Sequence, residues 1–255
     1  MWDWIRDHRR KSILETPFPQ QWKKIFESNV TYYQRLNEVD QKNLRDLTQI
    51  FIAEKNWEGC GGLTLTDEIR VTIAAQACTL ILEIPHTFYS NVKTILVYPS
   101  TIVIPERKPG FFEMTTTPQS GPTPVLGEAH LYGPIVLVWD SILQTARDPN
   151  SGHNVVYHEF AHKLDMLDGS ANGTPPLETP EQYRQWIKIC SEEFLKLREL
   201  TDRGEQTFLN SYGAVNEAEF FAVATEQFFE QSSDMKSKHA ELYSVLSKFY
   251  RQDPS

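Results

Sequence analysis

The hydrophobic period changes twice along this chain, and that succession limits the folds open to it more than any single residue does. Up to about residue 90 the apolar positions recur at helical spacing, with helices expected near 19–28, 40–54 and 67–83. Thr66 caps the third of these ahead of Asp67 and Glu68. From about Val92 the pattern turns to β-branched and aromatic runs, which predict strands at 94–98, 101–104 and 135–139, the last after the breaker pair Gly133-Pro134. Beyond Ser151 helical spacing returns over 153–167, 180–200, 214–230 and 234–250. Helices, then strands, then helices predict an α+β fold, with a helical N-terminal section over about 1–90 and a small mixed sheet followed by a helical C-terminal half over about 91–255. No fixed-period repeat, low-complexity tract or Ser/Gly linker divides the chain, so 1–255 is read as one compact domain.

A chain of 255 residues can bury a core without disulfides, so a bound metal is not needed to hold the fold. Twenty-five basic against thirty-four acidic side chains leave a net charge of -9, which disfavours attraction to nucleic acid or anionic lipid. Cys60, Cys78 and Cys190 are odd in number and lack C-x-x-C spacing, which points to reduced thiols rather than a disulfide framework or a thiolate zinc site. Met1 to Arg10 mixes charge with aromatics and has no continuous apolar stretch, and nowhere do eighteen apolar residues run together. A cytoplasmic protein with no membrane partner is the expectation.

The segment His158-Glu159-Phe160-Ala161-His162 carries the chemistry. On a helix, imidazoles four residues apart project from one face, one above the other, and both can reach one metal ion. Glu159 sits beside the first of them, where its carboxylate can serve as general base toward a metal-bound water, as the H-E-x-x-H pattern requires. Val155, Val156, Ala161 and Leu164 make the surroundings apolar, as in a helix packed into a core. Zinc suits such ligands, and a catalytic zinc has three protein ligands with a fourth position open. Glu219 is a candidate third ligand, lying in the apolar-rich stretch Asn216-Glu217-Ala218-Glu219-Phe220-Phe221-Ala222, where coordinating a cation would offset the cost of burying a carboxylate. Equally open on spacing alone is that Glu217, Glu219 and Glu226 lie on solvated parts of that helix.

These segments, His158 to Asp165 with Tyr212-Gly213 and Asn216 to Ala222, resemble the Mlc titration factor A family over most of the chain, Trp139-Asp140 included. The two zinc-site segments alone also look like the catalytic domain of anthrax lethal factor. The resemblance implies a zincin-like fold and a gluzincin-type peptidase in which His158, His162 and Glu219 hold Zn2+, Glu159 activates water and Tyr212 assists the oxyanion. It further implies an aminopeptidase acting on peptides. Better-known bacterial members of the family also bind the glucose repressor Mlc and so affect expression of the sugar phosphotransferase system. The competing expectation is a regulatory module that sequesters such a transcriptional repressor and whose zinc site is structural or weakly active.

Asp168, six residues after His162, competes for the third ligand position, but short-spacer zincins need a glycine turn three residues after the second histidine. Asp165 occupies that place and the first glycine is Gly169, so the helix is expected to continue and carry Asp168 off the metal face. Asp165 and Asp168 are weighed instead as orienters of a ligand imidazole through its remaining N–H, with capping or solvation as the blander account. Tyr212 could donate to the developing oxyanion or be a buried, backbone-satisfied tyrosine. By resemblance to zincins, the strand after Gly133-Pro134 could pair with an extended peptide, and His130 is read as structural.

Overall fold

Capping chemistry sets several of the helix starts. Asn37 Oδ1 accepts the Asp40 amide at 3.0 Å and opens the helix Glu38–Glu54, and Thr66 Oγ1 accepts the Ile69 amide at 3.3 Å and opens the helix Asp67–Thr79. The computed structural model describes residues 2–100, 102–103, 124–125, 127–129, 133–148 and 152–255. Its helices are α1 (Trp2–Glu15), α2 (Gln20–Asn29), α3 (Glu38–Glu54), α4 (Asp67–Thr79), α5 (Trp139–Arg147), α6 (Val155–Asp165), α7 (Pro180–Asp202), α8 (Glu217–Glu230), α9 (Ser232–Lys238) and α10 (Ala240–Tyr250). The strands are β1 (Asn56–Gly59), β2 (Thr94–Tyr98), β3 (Ile102–Val103), β4 (Pro124–Val125), β5 (Gly127–Ala129) and β6 (Ile135–Val138). The fold is mixed α+β and mostly helical, with helices around a small sheet.

The sheet has the order β1-β2-β6-β5. β1, β2 and β6 run parallel, and β5 returns antiparallel to β6, pairing Gly127 with Leu137 and Ala129 with Ile135. Ile95, Val97, Ile135 and Leu137 are fully buried, which fits the continuous apolar character of strands covered by helices. β3 and β4 form a separate antiparallel pair, and Ile102–Val103 are strand within the expected 101–104. Thr101 and Ile104 lie outside the described residues, as does His130.

Four features depart from the sequence expectation. α1 was not expected; its Arg10 guanidinium makes two bonds to Glu54 of α3, at 2.7 and 2.8 Å, and lies 3.9 Å from the Phe88 ring centroid. β1 reads Asn-Trp-Glu-Gly, without β-branched residues, and its strand form comes from parallel pairing with β2. Trp139, expected to end β6, begins α5. The helix expected over 234–250 is broken at His239, which leaves helical geometry and brings Nδ1 to Glu193 of α7 at 2.8 Å.

One cluster of buried apolar side chains runs from Phe26 to Tyr250. Within it α6 touches α4, α8, β5 and β6, and Val156, Phe160 and Leu164 face the core. Cys60, Cys78 and Cys190 are free. Among the described residues, no helix is long and apolar enough to cross a membrane.

Candidate metal centre

Local chemistry fixes where α6 starts and stops. Asn154 Oδ1 accepts the Tyr157 amide at 3.0 Å and caps the helix, placing His158 and His162 one turn apart on it. After Asp165 the chain tightens into a 3-10 turn, Met166–Asp168, and stops at Gly169, whose φ of 97° is in the left-handed region. The helical path thus runs on past His162, as the lack of an earlier glycine predicts. Asp168 is exposed, and its Oδ1 accepts the Ser170 amide at 3.0 Å.

The chain then returns to bring α8 alongside. Gly173 donates its amide to Asp165 Oδ2 at 2.8 Å, and a Cβ at this position would meet the Glu217 carbonyl oxygen at 2.2 Å. With a φ of 73°, only glycine lets the loop press this closely on the N-terminus of α8. Asn216 Oδ1 caps α8 through the Glu219 amide at 2.9 Å, which sets Glu219 in the first turn, facing α6.

His158, His162 and Glu219 come together, with their ligand atoms all within 4.8 Å of one another. Glu219 Oε2 lies 3.0 Å from His158 Nε2 and 3.4 Å from His162 Nε2, and the two Nε2 atoms are 3.3 Å apart. A tetrahedral ion with bonds of roughly 2.0–2.2 Å would hold its ligand atoms about 3.3–3.6 Å from one another. The observed triangle is close to one face of such a tetrahedron, so the cluster can hold a metal ion.

The electrostatics agree with the geometry. Burial works against charge on His158, but hydrogen bonds to Glu219 and Glu226 raise its pKa to about 10. Burial likewise opposes charge on Glu219, yet the two imidazoles bring its pKa down to about 2. Positive charge is therefore strongly favoured at this point, and a divalent cation answers the same demand. Burial pushes Glu159 up to about 7, with the neighbouring histidines pulling the other way. Glu159 is 5% exposed, and its Oε2 has no hydrogen-bond partner among the described residues.

The carboxylate bonded to an imidazole of the cluster is neither Asp165 nor Asp168 but Glu226, whose Oε1 lies 2.8 Å from His158 Nδ1. Its Oε2 accepts the Asn154 amide at 2.7 Å and lies 3.0 Å from His153 Nδ1. Glu226 is 1% exposed, so of the three glutamates weighed as solvated, Glu217 is exposed, Glu219 is partly buried and Glu226 is buried. The signal was present in the sequence, because seven residues from Glu219 is two helical turns and returns to the same face. Asp165 is buried, with Oδ2 bonded to Gly173 and not to an imidazole.

Tyr212 stands on a 3-10 turn, Ser211–Ala214, packed against α7 and α8. It is half exposed rather than buried, and its ring centroid is 6.0 Å from that of His158. Burial first, then Glu219 and Glu159, raise its pKa and keep the phenol protonated as a donor. Beside the cluster a cleft of about 280 Å³ is lined by His162, Met166, Ala171, Glu217, Ala218 and Glu219, among others. Met166 also borders a larger hollow of about 660 Å³ that includes Asn91, Gly133 and Asp168 but not the three clustered residues.

Comparison with known proteins gives a consistent family. The family described as "Glucose-regulated metallo-peptidase M90" matches residues 4–251. An uncharacterized protein of Synechocystis sp. is 36% identical over 257 residues, covering 98% of this chain and 90% of that protein. Mlc titration factor A of Serratia proteamaculans is 32% identical over 222 residues, 86% of this chain and 82% of the relative. Mlc titration factor A of Yersinia pestis is 30% identical over 256 residues, 99% and 90% respectively.

Proposed function

The chain belongs to the glucose-regulated metallo-peptidase M90 family, and from that membership and the seam between α6 and α8 we propose that it is a zinc-dependent peptidase. The observation that carries this reading is the placement of a buried carboxylate, Glu159, beside a His-His-Glu triangle of metal-binding size. His158, His162 and Glu219 would hold the ion. Zinc bound there supplies Lewis acidity toward a peptide carbonyl and lowers the pKa of water.

The chain's own groups do the rest. Glu159, its pKa near neutrality, takes the proton from the attacking water and passes it to the departing amine. Tyr212 donates its hydroxyl hydrogen to the oxygen that becomes negative as water adds to the carbonyl. Glu226 fixes the orientation of the His158 ring. The family resemblance supports an aminopeptidase, and the likeness of the zinc-site segments to anthrax lethal factor supports a zincin-like fold. The single core cluster supports treating 1–255 as one domain. A cytoplasmic setting without membrane or nucleic-acid partners completes the proposal.

A second reading has its own support, since relatives at 30–32% identity bear the name Mlc titration factor A, which speaks to a regulatory partner and not to peptide cleavage. In it the chain sequesters an Mlc-like transcriptional repressor and the metal site is structural or weakly active. One experiment separates the two: incubate the purified protein with amino-acid anilides and with free-amine and amino-blocked peptides, with and without a chelator. Chelator-sensitive release with the fold intact, and a preference for free amines, supports the peptidase. Absence of hydrolysis by zinc-loaded protein that still binds a repressor supports the regulatory module.

A further inference from the structure

Glu226 is one link of a longer chain of hydrogen bonds. Asn210 Nδ2 lies 2.7 Å from His153 Nε2, His153 Nδ1 lies 3.0 Å from Glu226 Oε2, and Glu226 Oε1 lies 2.8 Å from His158 Nδ1. At its far end, Asn210 Oδ1 accepts the Tyr212 amide at 2.9 Å and caps the turn that carries this tyrosine. The chain therefore starts at the backbone amide of Tyr212 and ends on a candidate metal ligand.

With His153 neutral, the donors and acceptors along this chain are complementary throughout. Asn210 Oδ1 is taken by the Tyr212 amide, so its NH2 group faces His153, and Nε2 must accept. The hydrogen of a neutral His153 then sits on Nδ1 and is donated to Glu226. Glu226 in turn takes the Asn154 amide and His153 on one oxygen and His158 on the other, which leaves His158 Nε2 facing Glu219 and the triangle. Rotating His153 breaks its bonds to Asn210 and Glu226, and rotating Asn210 breaks its bonds to the Tyr212 amide and His153.

We propose that Asn210 and His153 are positioning residues, joining the turn that bears Tyr212 to the carboxylate bonded to His158, so that phenol and metal ligand are placed by one hydrogen-bonded chain. The proposal rests on the peptidase reading for its kinetic consequences but not for its physical ones. His153 is half exposed and Asn210 lies in a loop, so both tolerate substitution without emptying the core.

The test uses the full-length chain and three readouts: affinity for zinc alone by competition with a chromophoric chelator, hydrogen exchange at the Tyr212 amide, and kcat with KM. His153→Ala should weaken zinc affinity on the order of tenfold, the low end for loss of an outer-shell partner. The same variant should speed exchange at the Tyr212 amide, although it contacts neither Tyr212 nor the metal. His153→Asn retains a donor near the Nδ1 position and should restore zinc affinity but not Tyr212 protection. Asn210→Ala should lower kcat with KM little changed, and should have no further effect in a Tyr212→Phe background. Unchanged zinc affinity and unchanged Tyr212 exchange in a folded His153→Ala protein would overturn the proposal. So would full additivity of Asn210→Ala with Tyr212→Phe. If the wild type cleaves nothing, the peptidase reading fails, and the zinc and exchange measurements still decide this one.

Discussion

α4 and α6 are neighbouring helices of similar length, 13 and 11 residues, and both are almost wholly buried. Burial alone does not tell them apart; what they bury does. α4 encloses Val71, Ile73, Ala74, Ala75 and Ala77, and the polar side chains it buries are uncharged: Thr72 takes Asn29 Nδ2 at 2.9 Å, Gln76 donates to the Asn29 carbonyl at 3.4 Å and Thr79 donates to the Ala75 carbonyl at 3.0 Å. α6 encloses Glu159, His162, Lys163 and Asp165, groups that are costly to remove from water unless paired. For three of them compensation comes from outside the helix, Asp165 from the Gly173 amide, Lys163 from the Gly133 carbonyl at 3.4 Å and His162 from Glu219 at 3.4 Å, whereas Glu159 Oε2 has no partner among the described residues. An ordinary core helix has no use for such an arrangement, and the proposed metal site does.

Substitutions that touch one helix and spare the other can break this contrast. The largest effect is expected for Glu159→Gln, which keeps the shape but cannot accept a proton. Hydrolysis should fall by about 10²–10⁴-fold while zinc content stays near wild type. Near wild-type turnover in that variant would remove Glu159 from the chemistry. Next comes Ile73→Ala in α4, a fully buried side chain, with an expected loss of about 2–5 kcal/mol in denaturant unfolding and no loss of zinc from the folded protein. Loss of zinc at unchanged stability would mean that the two helices are not separable in this way.

Glu226→Gln is expected to act more gently and only on the metal. The amide keeps one acceptor where the carboxylate serves three donors, so zinc affinity should drop by about 10–100-fold with the fold retained. Unaltered zinc affinity would reduce Glu226 to a packing role between α6 and α8.

How much of this was legible in the sequence depends on the range of the interaction. The His158–His162 pair and Glu159 follow from spacing within one helix, whereas for Glu219 the apolar-rich segment left metal ligation and a solvated face equally open. β1 carries no strand signal of its own because pairing with β2 makes it a strand, and α5 was missed because β6 passes into it without a turn residue. The break at His239 comes with a side-chain partner on α7, Glu193, 46 residues away. Glu226 was visible as a position two turns from Glu219 but not as a partner, since nothing local says that His158 Nδ1 points to it. Tyr212 is a similar case, placed by a turn packed on two helices.

The central claim, that the seam between α6 and α8 is a metal site completed by Glu219, is tested most directly by metal analysis of two single variants beside the wild type. Glu219 closes the triangle, whereas Asp168 caps an exposed turn. The account predicts about one zinc per chain in the wild type and in Asp168→Ala, and little or none in Glu219→Ala at equal fold content by circular dichroism. Zinc retained in Glu219→Ala but lost in Asp168→Ala would contradict it.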